Sequence, residues 1–226
     1  LREELPLDKA GLHVLFLPSI KSFRDEKVRI LNGSHTGMVP VALQLGCETV
    51  MDAFNNADVN KFINDMVAKE VLPMIDEDKD ELEKFAAGIL ERFYNPYIRH
   101  MLKSISLNSL SKWEARNFPT VKDNWIKAGK VADYECFTFA ALLSLYGPES
   151  GFEPDDTPEH VAYIRNNWDA TEYSKTVERI VSESGIFVEN MAAVVPGFTA
   201  KVAEYLQQIR TLGMAEALKK FLNEHK

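Results

Sequence analysis

Three side chains of unlike chemistry, Lys27, Asn32 and His35, lie close together in the sequence. A lysine can give a proton as the ammonium and take one as the amine, an amide N–H can stabilise an oxygen that gains charge, and an imidazole can hold a hydroxyl in place. At 100° per residue of an α-helix, Asn32 falls about 140° and His35 about 80° round from Lys27, so the three share less than half of the circumference. Burying such groups costs several kcal/mol unless each finds a partner, on the order of a domain's whole stability margin. On the residues alone a second reading stays open: a snorkelling Lys, a solvated Asn and a satisfied His on a helical interaction module with no chemistry.

The element that must position them is a helix from Lys27 to about Leu45. Its apolar residues, Val28, Ile30, Leu31, Met38, Val39, Val41, Leu43 and Leu45, point in nearly all directions, which predicts an interior helix. Ser22 and Asp25 match a capping box that would open it. Pro40 predicts a kink or break between Thr36 and Pro40, with Gly33 and Gly37 loosening the same stretch. Before it, Leu12 to Leu17 reads as a short buried strand between Gly11 and Pro18. After it, helices are predicted over Val59 to Ile75, Asp78 or Asp80 to Tyr94, Tyr97 to about Arg116, Val121 to Ala128, Tyr134 to Tyr146, Pro158 to Trp168, Thr171 to Ser184, Thr199 to Leu212 and Met214 to Asn223. Gly147 to Thr157 is the longest polar connection. The fold class is all-α.

Composition narrows the function. The 226 residues are 46% hydrophobic, enough for a substantial core, and no apolar run approaches the roughly 20 residues of a membrane span. The net charge of −8, with the basic residues scattered, gives no footprint for a phosphate backbone, so neither membrane nor nucleic acid is an expected partner. Cys47 and Cys136 form no Cys-x-x-Cys pair, and no metal site is expected. With no secretory leader pattern, a cytoplasmic location is the default, and Leu1 in place of Met suggests a piece of something longer. Trp113, Trp125 and Trp168 read as core. His13, His160 and His225 are isolated, and the acidic run Asp76 to Glu81 reads as a solvated helix start.

The stretch Lys27-Val28-Arg29-Ile30-Leu31-Asn32-Gly33-Ser34-His35-Thr36 resembles the Lys-x4-Asn-x2-His signature of the long-chain mannitol dehydrogenase family, the polyol and sugar-acid dehydrogenases. Arg92-Phe93-x-Asn95-Pro96 and Ser106-Leu107-Asn108-Ser109-Leu110-Ser111-Lys112 resemble the next two family blocks at the expected separation. Within the family the uronate reductases match best, through Lys27 to Val41, Asn95 to His100 and Leu5 to Gly11. Fructuronate- and mannitol-type members are the alternatives.

The resemblance implies that 22–226 is a helical substrate-binding and catalytic domain, similar to the C-terminal domain of 6-phosphogluconate dehydrogenase. Residues 1–21 would be a boundary segment following a Rossmann domain that binds NAD(H), because the 11 glycines here nowhere spell Gly-x-Gly-x-x-Gly. The expected ligand is a small sugar acid. By the same resemblance Lys27 is the acid/base, its pKa lowered by desolvation and modestly by the helix N-terminus. Asn32 donates to the reacting oxygen, His35 fixes a neighbouring hydroxyl, and Lys112 contacts the far part of the substrate. Polyol-oxidising members tend to carry Arg where this chain has Ser104, and Asp-Gly-Ser where it has Asn108-Ser109-Leu110. A uronate carboxylate would pair with a cation, for which Lys112, Arg29 and Arg99 are candidates, with His100 nearby. Asn95 and Pro96 read as a turn.

Overall fold

The structure is a computed structural model that describes residues 3–12, 14, 16 and 19–226. One long helix, α1 (21–44), carries all three chemical residues. It is α-helical over Lys21–Glu26, widens to a π-helix over Lys27–Gly33 and returns to α over Ser34–Gln44. It is followed by α2 (Val50–Asn55), α3 (57–74), α4 (79–94), α5 (Leu102–Ile105), α6 (Ser109–Arg116) and α7 (Phe118–Ala128). Then come α8 (Asp133–Tyr146), α9 (Pro158–Asn166), α10 (173–183), α11 (Met191–Val194), α12 (Phe198–Leu212) and α13 (Met214–Glu224). The all-α class expected from the sequence is what is found; the one β feature among the described residues is an antiparallel bridge between Thr49 and Met101.

Helix α8 is the axis of the molecule. Every residue from Tyr134 to Tyr146 is buried, as expected of a helix that is apolar all round, and α1, α12 and α6 pack against it. Phe62 of α3, Phe137 of α8, Tyr205 of α12 and Phe221 of α13 interlock with ring centroids 4.8 to 5.6 Å apart. A second aromatic group holds α6: the fully buried Trp113 lies 4.3 Å from the Phe139 ring, and its indole N–H donates to Thr138 Oγ1 at 2.9 Å. The residue after Asn108 starts α6, and Asn108 itself takes φ 52°, a left-handed conformation that Asn tolerates.

Several expectations are corrected. Helix α1 begins at Lys21 behind Ile20, with no side-chain cap, and the Ser22 side chain lies outside what is described. The helix does not break at Pro40: it stays α-helical over Ser34–Gln44 with residues 36–42 buried, and packing there outweighs the roughly 3 kcal/mol penalty of an internal Pro. The irregularity lies earlier, in the π stretch. Gly33 and Gly37 serve close approach instead of looseness, since a Cβ on Gly37 would meet Thr138 Cγ2 at 3.0 Å and one on Gly33 the Arg116 carbonyl oxygen at 3.5 Å. The predicted helix Tyr97 to Arg116 is broken, because 98–101 runs extended beside 48–50: Val50 N–H donates to His100 O and Leu102 N–H to Glu48 O. Helix α2 was not anticipated, although Thr49 and Asp52 form a full capping box. Helix α3 is capped by Asn56, whose side chain accepts from the N–H groups of Asp58 and Val59. Of the predicted strand, Leu12, Val14 and Phe16 show no strand, and His13, Leu15 and Leu17 lie outside the described residues. The 147–157 connection is packed, tied by Arg210 to the Pro148 carbonyl, by Arg165 to the Phe152 carbonyl and by Tyr146 Oη to Asp156.

Two carboxyl groups lie inside this core. Glu70 accepts the backbone N–H groups of Tyr134 and Glu135 at the start of α8, and Glu135 accepts from Asn117 Nδ2 at 2.8 Å. Burial pushes both up to about 8, against 4.5 for a free Glu. The folded chain therefore holds protons that the unfolded chain has lost between about pH 4.5 and 8, so these groups contribute most stability at the acid end and lose it as pH rises through 8. Thermal melts between pH 5.5 and 8.5 are expected to show a falling melting temperature, with a shallower fall for Glu135→Gln, in which that acid no longer titrates. Equal slopes in variant and parent would contradict this.

Candidate functional site

The π stretch changes the geometry of the three residues. In an ideal π turn the hydrogen bonds close five residues on and each residue turns by roughly 80° instead of 100°, which would bring Asn32 to roughly 50° from Lys27 in place of 140°. His35, in the first turn of the α segment that follows, stays on the same side. The Lys-x4-Asn spacing is thus matched to a π turn.

Returning from π to α shifts the hydrogen-bond register, and three successive carbonyls each accept a side-chain donor. Leu31 O accepts from His35 Nδ1 at 3.0 Å, Asn32 O from Thr36 Oγ1 at 2.8 Å, and Gly33 O from Asn117 Nδ2 at 3.1 Å. Because a carbonyl can only accept, Nδ1 of His35 carries the proton. Burial, helped by His100 and Arg116, lowers the His35 pKa to about 4, so the ring is neutral above pH 5 and Nε2 is an acceptor. The ring lies 4.1 Å from that of Phe93 and 5.4 Å, edge-on, from that of His100, beside a small hollow of about 110 Å³ lined by Leu31, Val50, Arg92, Asn95, Ile98 and His100. His100 is exposed and reaches this position through the 98–101 pairing.

Lys27 is exposed and Asn32 half-buried, and neither side chain has a hydrogen-bond partner among the described residues. The helix N-terminus expected to assist Lys27 does not reach it, since α1 starts more than a turn earlier and that field fades within the first turn. Nor do the described residues enclose the amine. Lys112 is half-buried on α6, its Nζ donating to the Ile105 carbonyl at 3.1 Å, and burial and Arg116 lower its pKa. Arg29 and Arg99 are engaged elsewhere: Arg29 pairs with Asp123 and ties α1 to α7, and Arg99 pairs with Glu48 at 3.0 Å on the surface.

One member of this cluster escaped the sequence reading. Arg116, four residues after Lys112 and so on the same face of α6, donates to Thr36 Oγ1 at 3.1 Å. The i, i+4 spacing from Lys112 was the signal that could have found it.

Fold and site together define an all-α domain whose central buried helix packs against a long helix bearing an amine, an amide and a neutral imidazole, with two cations on a neighbouring helix. A family model described as the mannitol dehydrogenase C-terminal domain matches residues 19–210, and the chain belongs to that family. It is 36% identical over 221 residues to an altronate oxidoreductase of Bacillus subtilis (strain 168) and 35% identical over 225 residues to one of Phocaeicola vulgatus, covering 97% of this chain and 45% and 47% of those proteins. The chain thus spans about half the length of these curated relatives. Among solved structures, Pseudomonas fluorescens mannitol 2-dehydrogenase in ternary complex with NAD and D-mannitol superposes with a TM-score of 0.82 at 20% identity, over 95% of this chain and 43% of that one. A substrate-free D-sorbitol dehydrogenase gives a TM-score of 0.76 at 21% identity. At these identities the structures establish the fold. Among the described residues, no helix is long and apolar enough to cross a membrane.

Proposed function

We propose that this chain is the substrate-binding and catalytic half of an NAD-dependent sugar-acid oxidoreductase that interconverts D-tagaturonate and D-altronate. The observation that supports the reading is the π stretch, whose wider turn suits an approach of Lys27 and Asn32 on one side of α1 with His35 following, neither of the first two side chains having a hydrogen-bond partner among the described residues. The curated relatives named as altronate oxidoreductases support the choice of substrate.

In this reading Lys27 gives a proton to the carbonyl oxygen during reduction and takes the hydroxyl proton during oxidation. Asn32 donates an amide N–H to the same oxygen as it gains charge, with its backbone held by the Thr36 bond. The Nε2 of His35 accepts from a neighbouring hydroxyl and fixes the carbon chain, a positioning role that a neutral ring with Nδ1 already committed can fill. Two free donors suit an oxygen that becomes negative as hydride arrives, and a bound nicotinamide supplies or accepts that hydride. With no Gly-x-Gly-x-x-Gly among its residues, this chain would leave the dinucleotide to the rest of the enzyme, which would also close over the exposed Lys27.

The test is a substrate profile of the full-length enzyme with NADH against D-tagaturonate, D-fructuronate and D-fructose. The expected result is the highest kcat/KM on D-tagaturonate. A preference for fructose would make the protein a polyol dehydrogenase and overturn the choice of a sugar acid, and a preference for fructuronate would overturn the choice of uronate.

A further inference from the structure

A sugar acid differs from a polyol at the end of the chain far from its carbonyl, where a carboxylate replaces a hydroxyl. That anion needs a cation that is rigidly held, partly shielded from water and not already neutralised. Arg29 and Arg99 fail the last condition, since each pairs with a carboxylate. Among the described residues Arg116 meets all three. It is half-buried, its hydrogen bond goes to a neutral hydroxyl, Thr36 Oγ1, and its helix is clamped to α8 by Trp113 and Thr138. Thr36 lies one turn beyond Asn32 and next to His35, so a substrate whose reacting end meets Asn32 and His35 would have the rest of its chain within reach of the guanidinium.

Lys112 stands one turn before Arg116 on the same face, with Nζ on a backbone carbonyl. The carboxylate acting on it is Asp156, whose oxygens already accept from Leu110 N, Tyr146 Oη and Thr157 N. Two half-buried cations side by side repel each other, an arrangement that an incoming carboxylate relieves.

We propose that Arg116, with Lys112 beside it, forms the subsite for the substrate carboxylate, and that Arg116 is the residue that distinguishes an acid-ended from a hydroxyl-ended sugar. The proposal rests on the sugar-acid reading above and is tested separately from it. The full-length enzyme, loaded with NAD, is titrated with D-altronate and with D-altritol, the same carbon skeleton ending in a hydroxyl, and turnover of each is followed in parallel. Arg116→Met is expected to lower the altronate-to-altritol affinity ratio by about 100-fold, and Arg116→Lys by about tenfold, because a point charge remains without the planar fork. Melting curves of both variants check folding, and the lysine variant carries the test if the methionine variant unfolds. A ratio unchanged in either folded variant, because both ligands weaken equally or neither does, overturns the proposal, as does a parent enzyme that binds no altronate. A parent that binds altronate through Arg116 but does not oxidise it would leave the subsite standing and overturn the functional reading instead.

Discussion

Replacing Lys27 by Ala in the full-length enzyme is expected to lower kcat for altronate oxidation by about 10³-fold, the usual contribution of a positioned general acid or base. The reason is local. No other amine or acid among the proposed substrate contacts shares the side of α1 on which Asn32 and His35 lie: His35 has its Nδ1 proton committed to Leu31 O, and a pKa of about 4 makes it a poor proton donor near neutrality. Lys27 is exposed and has no side-chain partner among the described residues, so the melting temperature is expected to stay within about 2 °C, as for surface substitutions away from packed features. Steady-state kinetics and a thermal melt on one preparation check both halves. Near-normal turnover with an unchanged melt would favour an interaction module in which Lys27 is incidental.

Asn32→Ala is expected to cost about 10²- to 10³-fold in kcat with a much smaller change in KM, because a donor aimed at developing charge acts on the transition state more than on the bound sugar. Asn32→Asp should be worse than Ala in kcat/KM, since it sets a negative charge against an oxygen that is itself becoming negative. The two variants also separate chemistry from architecture. The Asn32 carbonyl, not its side chain, accepts the Thr36 hydroxyl, so both substitutions leave the π-to-α transition its partners. Initial-rate kinetics across altronate concentrations read the split. A rise in KM alone would assign Asn32 to uniform substrate binding instead.

Much of the architecture was legible because it rests on local signals. The predicted helices Tyr134 to Tyr146 and Thr199 to Leu212 begin within a residue of α8 and α12 and share their ends, as strongly apolar or periodic segments should. What was not legible depends on contacts distant in sequence. The extended 98–101 segment exists because Glu48 and Val50 offer it hydrogen bonds, and nothing in its own residues announces that. Pro40 reads as a breaker, yet burial on every side keeps the helix intact. At the site, a 100° wheel already puts Lys27, Asn32 and His35 on less than half of the circumference, with Asn32 at its far edge. The π turn over Lys27–Gly33, which would bring Asn32 nearer to Lys27, has no signature in the spacing. The cations sorted themselves by partner: Arg29 and Arg99 drop out by pairing with acids that no spacing rule identifies, and Arg116 enters because it bonds a hydroxyl on α1.

The proposed chemistry requires one nitrogen, Lys27 Nζ, to meet one substrate oxygen. A crystal structure of the full-length enzyme with NAD and D-altronate measures it. The expected result has Lys27 Nζ and Asn32 Nδ2 both within about 3.2 Å of the hydroxyl oxygen to be oxidised, with His35 Nε2 on the adjacent hydroxyl. A bound altronate whose reacting oxygen contacts neither Lys27 nor Asn32, with the amine still turned to solvent, would contradict it.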